Sequence, residues 1–275
     1  MIRRIACLFS SMLAAMVVFA PAAEAAPTWA PAATATIHPG VQTITSGGQC
    51  TANFIFYNAS DVFIGQAAHC SSTSAATETN GCTANSLPLG TKVDVGGASQ
   101  PGTLVYNSWL TMQALGETNA NICAGNDFAL VQLAPADAAK ANPSIPHWGG
   151  PTGIGSSAPL LSLVYSYGNS ELRLGITALS PKIGVGQGTV SGGWQHNTTL
   201  VTPGLPGDSG SALLDSNGRA IGVLSTLGVG VPGGVTNTFG DIAHELNYLN
   251  SHTSLGVTLA TGTVPFNGSQ LPLQL

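Results

Sequence analysis

The sequence predicts an all-β protein built in two halves, and three observations carry that expectation. Only 7% of the residues are charged, 44% are hydrophobic, and 35 glycines are spread through the 275 positions. Such a composition favours strands and turns over helices, and with charge so scarce it is not that of a disordered chain. From Val41 onward, short runs rich in Val, Ile, Phe, Tyr and Thr alternate with Gly, Asn, Ser and Pro turns. Between Pro135 and Pro151 the alternation is interrupted by a proline-bearing stretch, with Pro143 and Pro146 inside it, that reads as a crossover.

The chain opens on the basic MIRR, followed by an apolar run from Ile5 to Ala20 and the small residues Ala23-Glu24-Ala25, with Ala26 as a second cleavage position. That is the pattern of a secretory signal peptide over 1–26. No later apolar run reaches the ~18 residues that span a bilayer, so the mature protein is expected to be exported and to have no membrane partner once the signal is removed. A net charge of −5 and the lack of any Lys/Arg cluster after the first four residues argue against a nucleic-acid partner. Signal removal takes away Cys7 and leaves Cys50, Cys70, Cys82 and Cys123. Four cysteines in an exported chain imply two disulfides, with three connectivities open. Their spacings do not suit zinc, and neither a metal nor a cofactor is expected.

In chain order, 27–40 is rich in Ala, Pro and Thr and reads as an extended, loosely held arm. A first β half is expected over 41–140. Its runs are Cys50 to Tyr57, Val62 to Gly65, Thr91 to Val95, Thr103 to Tyr106 and Phe128 to Leu133, with Ser71 to Leu89 as a polar surface excursion. A second half is expected over 141–252. Its runs are Pro159 to Tyr167, Lys182 to Val190, Thr198 to Thr202, Ser211 to Leu214 and Ala220 to Leu224. Asp241 to Asn250 then places Ile242, Leu246 and Leu249 at helical spacing, as core packing. The remaining 253–275 is an extension with no assigned role. Nothing in the composition signals an oligomer, so a monomer is expected.

Chemistry concentrates in three blocks: VFIGQAAHC ending in His69 and Cys70, NDFALVQL carrying Asp127, and GLPGDSGSALL carrying Ser209. A serine hydroxyl is a poor nucleophile unless a neutral imidazole takes its proton, and the imidazole in turn needs a carboxylate to fix its tautomer and stabilise the imidazolium. The order His69, Asp127, Ser209 and the flanks of each resemble the chymotrypsin/trypsin superfamily of serine proteases, in particular its secreted bacterial branch, over roughly Cys50 to Leu249. The resemblance implies two six-stranded antiparallel β-barrels with the catalytic cleft between them and a short C-terminal helix. It implies His69 as general base, Asp127 as its orienting carboxylate, Ser209 as nucleophile, and the N–H groups of Gly207 and Ser209 as the oxyanion hole. It also implies a Cys50–Cys70 disulfide behind the histidine, which leaves Cys82 for Cys123.

By the same resemblance Asp208 anchors the oxyanion loop; cations are few, and Arg173 is the expected partner. Ser225 corresponds to the segment that pairs with substrate backbone, although the aromatic and glycine that follow it in the family are Thr226 and Leu227 here, a change expected to narrow the pocket mouth. The primary specificity pocket should lie near Pro203, Gly204 and Leu205. With no acidic residue there apart from Asp208, and no histidine near Ser225, the side chain before the scissile bond is expected to be neutral, small or apolar. The resulting expectation is a secreted serine endopeptidase acting on polypeptide. The alternatives are a catalytically silent protease-like binding protein and a narrow-specificity esterase or processing enzyme on the same fold.

Overall fold

The computed structural model describes residues 27–46, 48–231 and 234–272; the expected signal peptide, with Cys7, lies outside the described residues. The first half holds seven short strands: β1 (Gln42–Thr45), β2 (Gly48–Thr51), β3 (Ile55–Tyr57), β4 (Val62–Gln66), β5 (Lys92–Val95), β6 (Gly102–Asn107) and β7 (Ala129–Gln132). Their order within the sheet is β3-β4-β7-β6-β5-β1-β2, so the two outermost of these seven, β2 and β3, are separated in sequence by only Ala52, Asn53 and Phe54. These are the two limbs of the run read from sequence as a single strand, bent so that the backbone leaves β1 and joins β4: Ala52 N–H donates to Val41 O and Asn53 N–H to Gly65 O, both at 2.9 Å. With β2 and β3 counted as one bent strand, six strands curl around a core in which Ile55, Ile64, Leu104 and Val131 are fully buried.

The second half is a closed barrel in the order β10-β13-β12-β11-β8-β9, where β8 is Leu163–Tyr167, β9 Pro181–Val190, β10 Gln195–Val201, β11 Ala212–Asp215, β12 Ala220–Val231 and β13 Gly234–Asp241. Strand β13 was not foreseen, because GVTNTFGD carries two glycines and an asparagine; closure of the barrel between β12 and β10 gives its backbone partners on both sides. Phe56, Phe63 and Phe128 of the first half pack in one continuous cluster with Trp148, Leu214, Val223 and Ile242 of the second. The two halves therefore share a core.

Among the described residues, four α-helices lie outside the sheets: α1 (Ser108–Leu115), α2 (Ala120–Gly125), α3 (Pro135–Ala138) and α4 (Ile242–His252). The first two were not foreseen. Asn107 caps α1 by accepting from the N–H groups of Trp109 and Leu110, Gly116 closes it in the left-handed region, and Trp109 anchors it in the core. The proline stretch also holds a helical turn, α3, begun by Pro135 at a position that needs no N–H donor. Helix α4 is capped by Asp241 and buries Ile242, Leu246 and Leu249 as its spacing predicted, and it buries Glu245 as well.

Both terminal segments differ from the loose arm and unassigned tail expected. Ile37 is fully buried and bridges Ala141, Ala30 N–H donates to Ala141 O, and Trp29 packs edge-on against Tyr57, so 27–40 is docked by apolar contact and backbone bonds together. In the tail, β14 (Thr258–Leu259) adds to β3, while Asn267 N–H donates to Trp148 O and Phe266 packs on Tyr165. The tail thus straps the first sheet to the second barrel.

Candidate active site

His69 stands in a turn of 3-10 helix, Ala68–Ser71, directly after β4. A rigid strand followed by a short turn aims the ring while leaving it accessible, and the side chain is 24% exposed. Asp127 precedes β7, the neighbour of β4, and its backbone carbonyl accepts from Ala68 N–H at 3.1 Å. Strand pairing thus brings residues 58 positions apart into contact. Asp127 Oδ1 accepts the His69 backbone N–H at 2.9 Å, and Oδ2 meets His69 Nδ1 at 2.7 Å. A third donor, the Ser225 hydroxyl, reaches the same Oδ2 at 2.6 Å. Burial alone would lower the His69 pKa, but the charge and hydrogen bond of Asp127 outweigh it and raise the ring above 6.5. Trp109 packs at a tilt 6.5 Å from the imidazole, ring centre to ring centre.

Beneath Asp127 lies a group the sequence reading missed. Glu245, fully buried on α4, accepts the Asp127 backbone N–H through Oε1 at 2.9 Å. Burial in the first place, and then the charges of Asp127 and Asp241, push its carboxyl well above the ordinary carboxylate range despite that hydrogen bond.

Ser209 follows a loop drawn tightly against the first half. Thr51 N–H donates to Ser209 O at 2.8 Å, and the Thr51 hydroxyl and Gln49 Nε2 both donate to Gly207 O. Gly210, at φ +86°, passes so close to the histidine strand that a Cβ there would fall 2.6 Å from Thr51 O and 2.9 Å from Ala67 N. Among the described residues, the N–H groups of Gly207 and Ser209 donate to nothing, and they remain available to an incoming oxygen. No hydrogen bond joins His69 Nε2 to Ser209 Oγ among the described residues, although both line one cleft. Such contacts are commonly long in the free state and tighten only around substrate.

Asp208 is fully buried beside Ser209 and turned away from the cleft. Its Oδ2 is 2.5 Å from Arg173 Nη2, and its Oδ1 accepts Ser170 N–H at 3.0 Å. The structure brings Arg173 to Asp208 and adds a second cation that the sequence reading missed. Lys182 Nζ on β9, with no exposed surface, lies 3.0 Å from the same oxygen as an ion pair without hydrogen-bond alignment. Burial works to raise the Asp208 pKa, but Lys182 and Arg173 hold it below the usual carboxylate value. Burial lowers Lys182 to about 8.

His69, Asp127, Gly204, Leu205, Gly207, Ser209, Ser225 and Leu227 all border one cavity of about 580 Å³. Its other wall is 72–79, part of the excursion read as mere surface, which overhangs His69. Cys50 is bonded to Cys70 behind the histidine, and Cys82 to Cys123. The sulfurs of Cys50 and Cys70 lie close to a ring nitrogen of His69, but as a disulfide they offer no thiolate to a metal.

Among solved structures, the fold is similar to that of Thermobifida fusca protease A (TM-score 0.54, 21% identity, covering 82% of this chain and 99% of that one). It is similar too to a Nocardiopsis protease (0.51, 20%, 81% and 98%). A third similar structure is a glutamic-acid-specific serine protease described as using a histidine triad in substrate binding (0.53, 14%, 82% and 100%). No protein-family model matches the sequence, and no curated protein matches it. At these identities the likeness establishes the fold, a chymotrypsin-like double barrel.

Proposed function

We propose that this chain, whose fold is the chymotrypsin-like double barrel, is a secreted serine endopeptidase. Ser209 attacks the peptide carbonyl, and His69 takes its proton and later gives it to the leaving amine. Asp127 holds the imidazole with Nδ1 protonated and stabilises the imidazolium without itself taking the proton. The N–H groups of Gly207 and Ser209 receive the oxygen that becomes negative. The observation that carries this reading is the Asp127 carboxylate, which engages the backbone N–H and ring Nδ1 of His69 and the Ser225 hydroxyl at 2.9 Å or less at the edge of the cleft containing Ser209. Asp241 holds His244 in the same way, through its backbone N–H and Nδ1; what sets the Asp127–His69 pair apart is that it borders the cleft with Ser209.

Two disulfides fit an oxidising compartment and support export. The residue before the scissile bond enters beside Gly204, Leu205 and Leu227. No Lys or Arg lines that cavity among the described residues, and His69 is its one histidine; a neutral side chain suits it.

The absent His69–Ser209 hydrogen bond is the one observation favouring a silent, protease-like binder. A serine-directed phosphonate probe separates the readings. Covalent label on wild type that is lost in Ser209→Ala supports turnover chemistry; no label on folded wild type overturns it.

A further inference from the structure

The floor of the cavity holds a polar group that the catalytic reading leaves unused. Asn237 sits on β13, opposite Leu227 of β12 and Thr198 of β10, and has no exposed surface. Its amide orientation is set by a neighbour: the backbone N–H of Gly204 donates to Asn237 Oδ1 at 2.9 Å. Oδ1 must be the oxygen, because a flipped amide would set its own NH₂ against that N–H. Nδ2 is therefore a donor of known direction, and among the described residues it has no partner. Gly204 keeps it clear, since a Cβ at 204 would lie 2.7 Å from Nδ2 and 3.1 Å from Leu224 Cδ2.

A buried donor left without an acceptor bears the full cost of its desolvation. This one stands in the wall of the cavity that also contains Ser209 and Ser225, among the apolar side chains of Leu205, Leu224 and Leu227. An apolar substrate side chain would leave the donor unpaired. A carboxylate would supply an acceptor, but it would enter a cavity lined by Asp127 and Glu78 and by no Lys or Arg. A lysine or arginine would bring only donors to a donor. A neutral carboxamide meets both conditions, with an oxygen to accept and no charge to desolvate.

We propose that Asn237 is a specificity-determining residue whose Nδ2 receives the side-chain carboxamide oxygen of a glutamine or asparagine preceding the scissile bond. The inference rests on the endopeptidase reading and narrows its neutral side chain to this class.

The test compares covalent labelling rates of peptidyl phosphonates that differ only in the residue occupying this pocket: glutamine, norleucine of similar length, and glutamate. A small fluorophosphonate without a peptide serves as the reference. Wild type should react with the glutamine probe about tenfold or more faster than with either other probe, the discrimination expected of one desolvated hydrogen bond. Asn237→Leu, close in volume, should bring the glutamine-to-norleucine ratio to about one, each rate being taken relative to that variant's own rate with the reference. Equal rates for glutamine and norleucine on wild type would overturn the proposal, as would a ratio that survives in Asn237→Leu. If Asn237→Leu does not fold, the wild-type series decides alone. If the reference itself fails to label Ser209, the endopeptidase reading is what has failed, and this inference falls with it.

Discussion

Two buried aspartates, Asp127 at the cleft and Asp208 turned away from it beside Ser209, are held in opposite ways. Asp127 is 3% exposed and, among the described residues, pairs with no lysine or arginine; its partners are His69 and the Ser225 hydroxyl, with Glu245 beneath accepting its backbone N–H. Asp208 has no exposed surface and carries two cations on one oxygen. A carboxylate already neutralised by fixed cations has little field left for an imidazolium that forms and vanishes during turnover. One held by neutral donors retains it. The chain therefore keeps its cations on the loop anchor and leaves the responsive carboxylate free of them.

The largest expected effect is at the nucleophile: Ser209→Ala should lower amide turnover by at least about 10⁴-fold, with an unchanged circular dichroism spectrum. Next is the anchor. Arg173→Met removes the aligned partner of Asp208 and its bond to Pro203 O. Breaking a buried pair costs about 3–5 kcal/mol, to be read as a shift in the urea midpoint at constant slope. Smaller again, Glu245→Ala should cost about 1–3 kcal/mol by leaving the Asp127 N–H unpaired, and Glu245→Gln should restore most of it, since the amide still offers that N–H an oxygen. A Glu245→Gln variant as impaired as the alanine would show that an uncharged acceptor does not suffice there, erasing the contrast.

The smallest effects are in pH dependence. The raised His69 pKa predicts that kcat/KM climbs with pH through a value above 6.5, the protonated ring being inactive as a base; a flat profile across that range would remove His69 from the role. Lys182 titrates near 8 when folded against 10.5 when free. The unfolded chain binds more protons between those values, so this group makes stability rise with pH across that window. Lys182→Met should abolish that rise in pH-dependent denaturation curves.

The sequence reading reached residues that the structure gathers at one cleft and that their neighbours in the chain mark out. His69 at a strand end, Ser209 between glycines and Asp127 opening a buried strand all carry local context. Arg173 was reachable because so few cations compete for Asp208. Lys182, Glu245 and Asn237 were not reachable, each for its own reason. A lysine at the start of a strand run reads as an edge residue. Glu245, one position before the core residue Leu246, reads as helix surface. Asn237 lies in a segment too rich in glycine to read as a strand at all.

What the sequence determined by itself is therefore the all-β class, the three blocks and their order, because short-range alternation and turn chemistry act within a few residues. Which strand bends to close the first sheet, which carboxylate sits under Asp127 and which amide lies under the pocket were decided by tertiary structure. Those depend on desolvation and close approach between segments dozens to more than a hundred residues apart, and burial is a property no stretch of chain possesses until the others have packed against it.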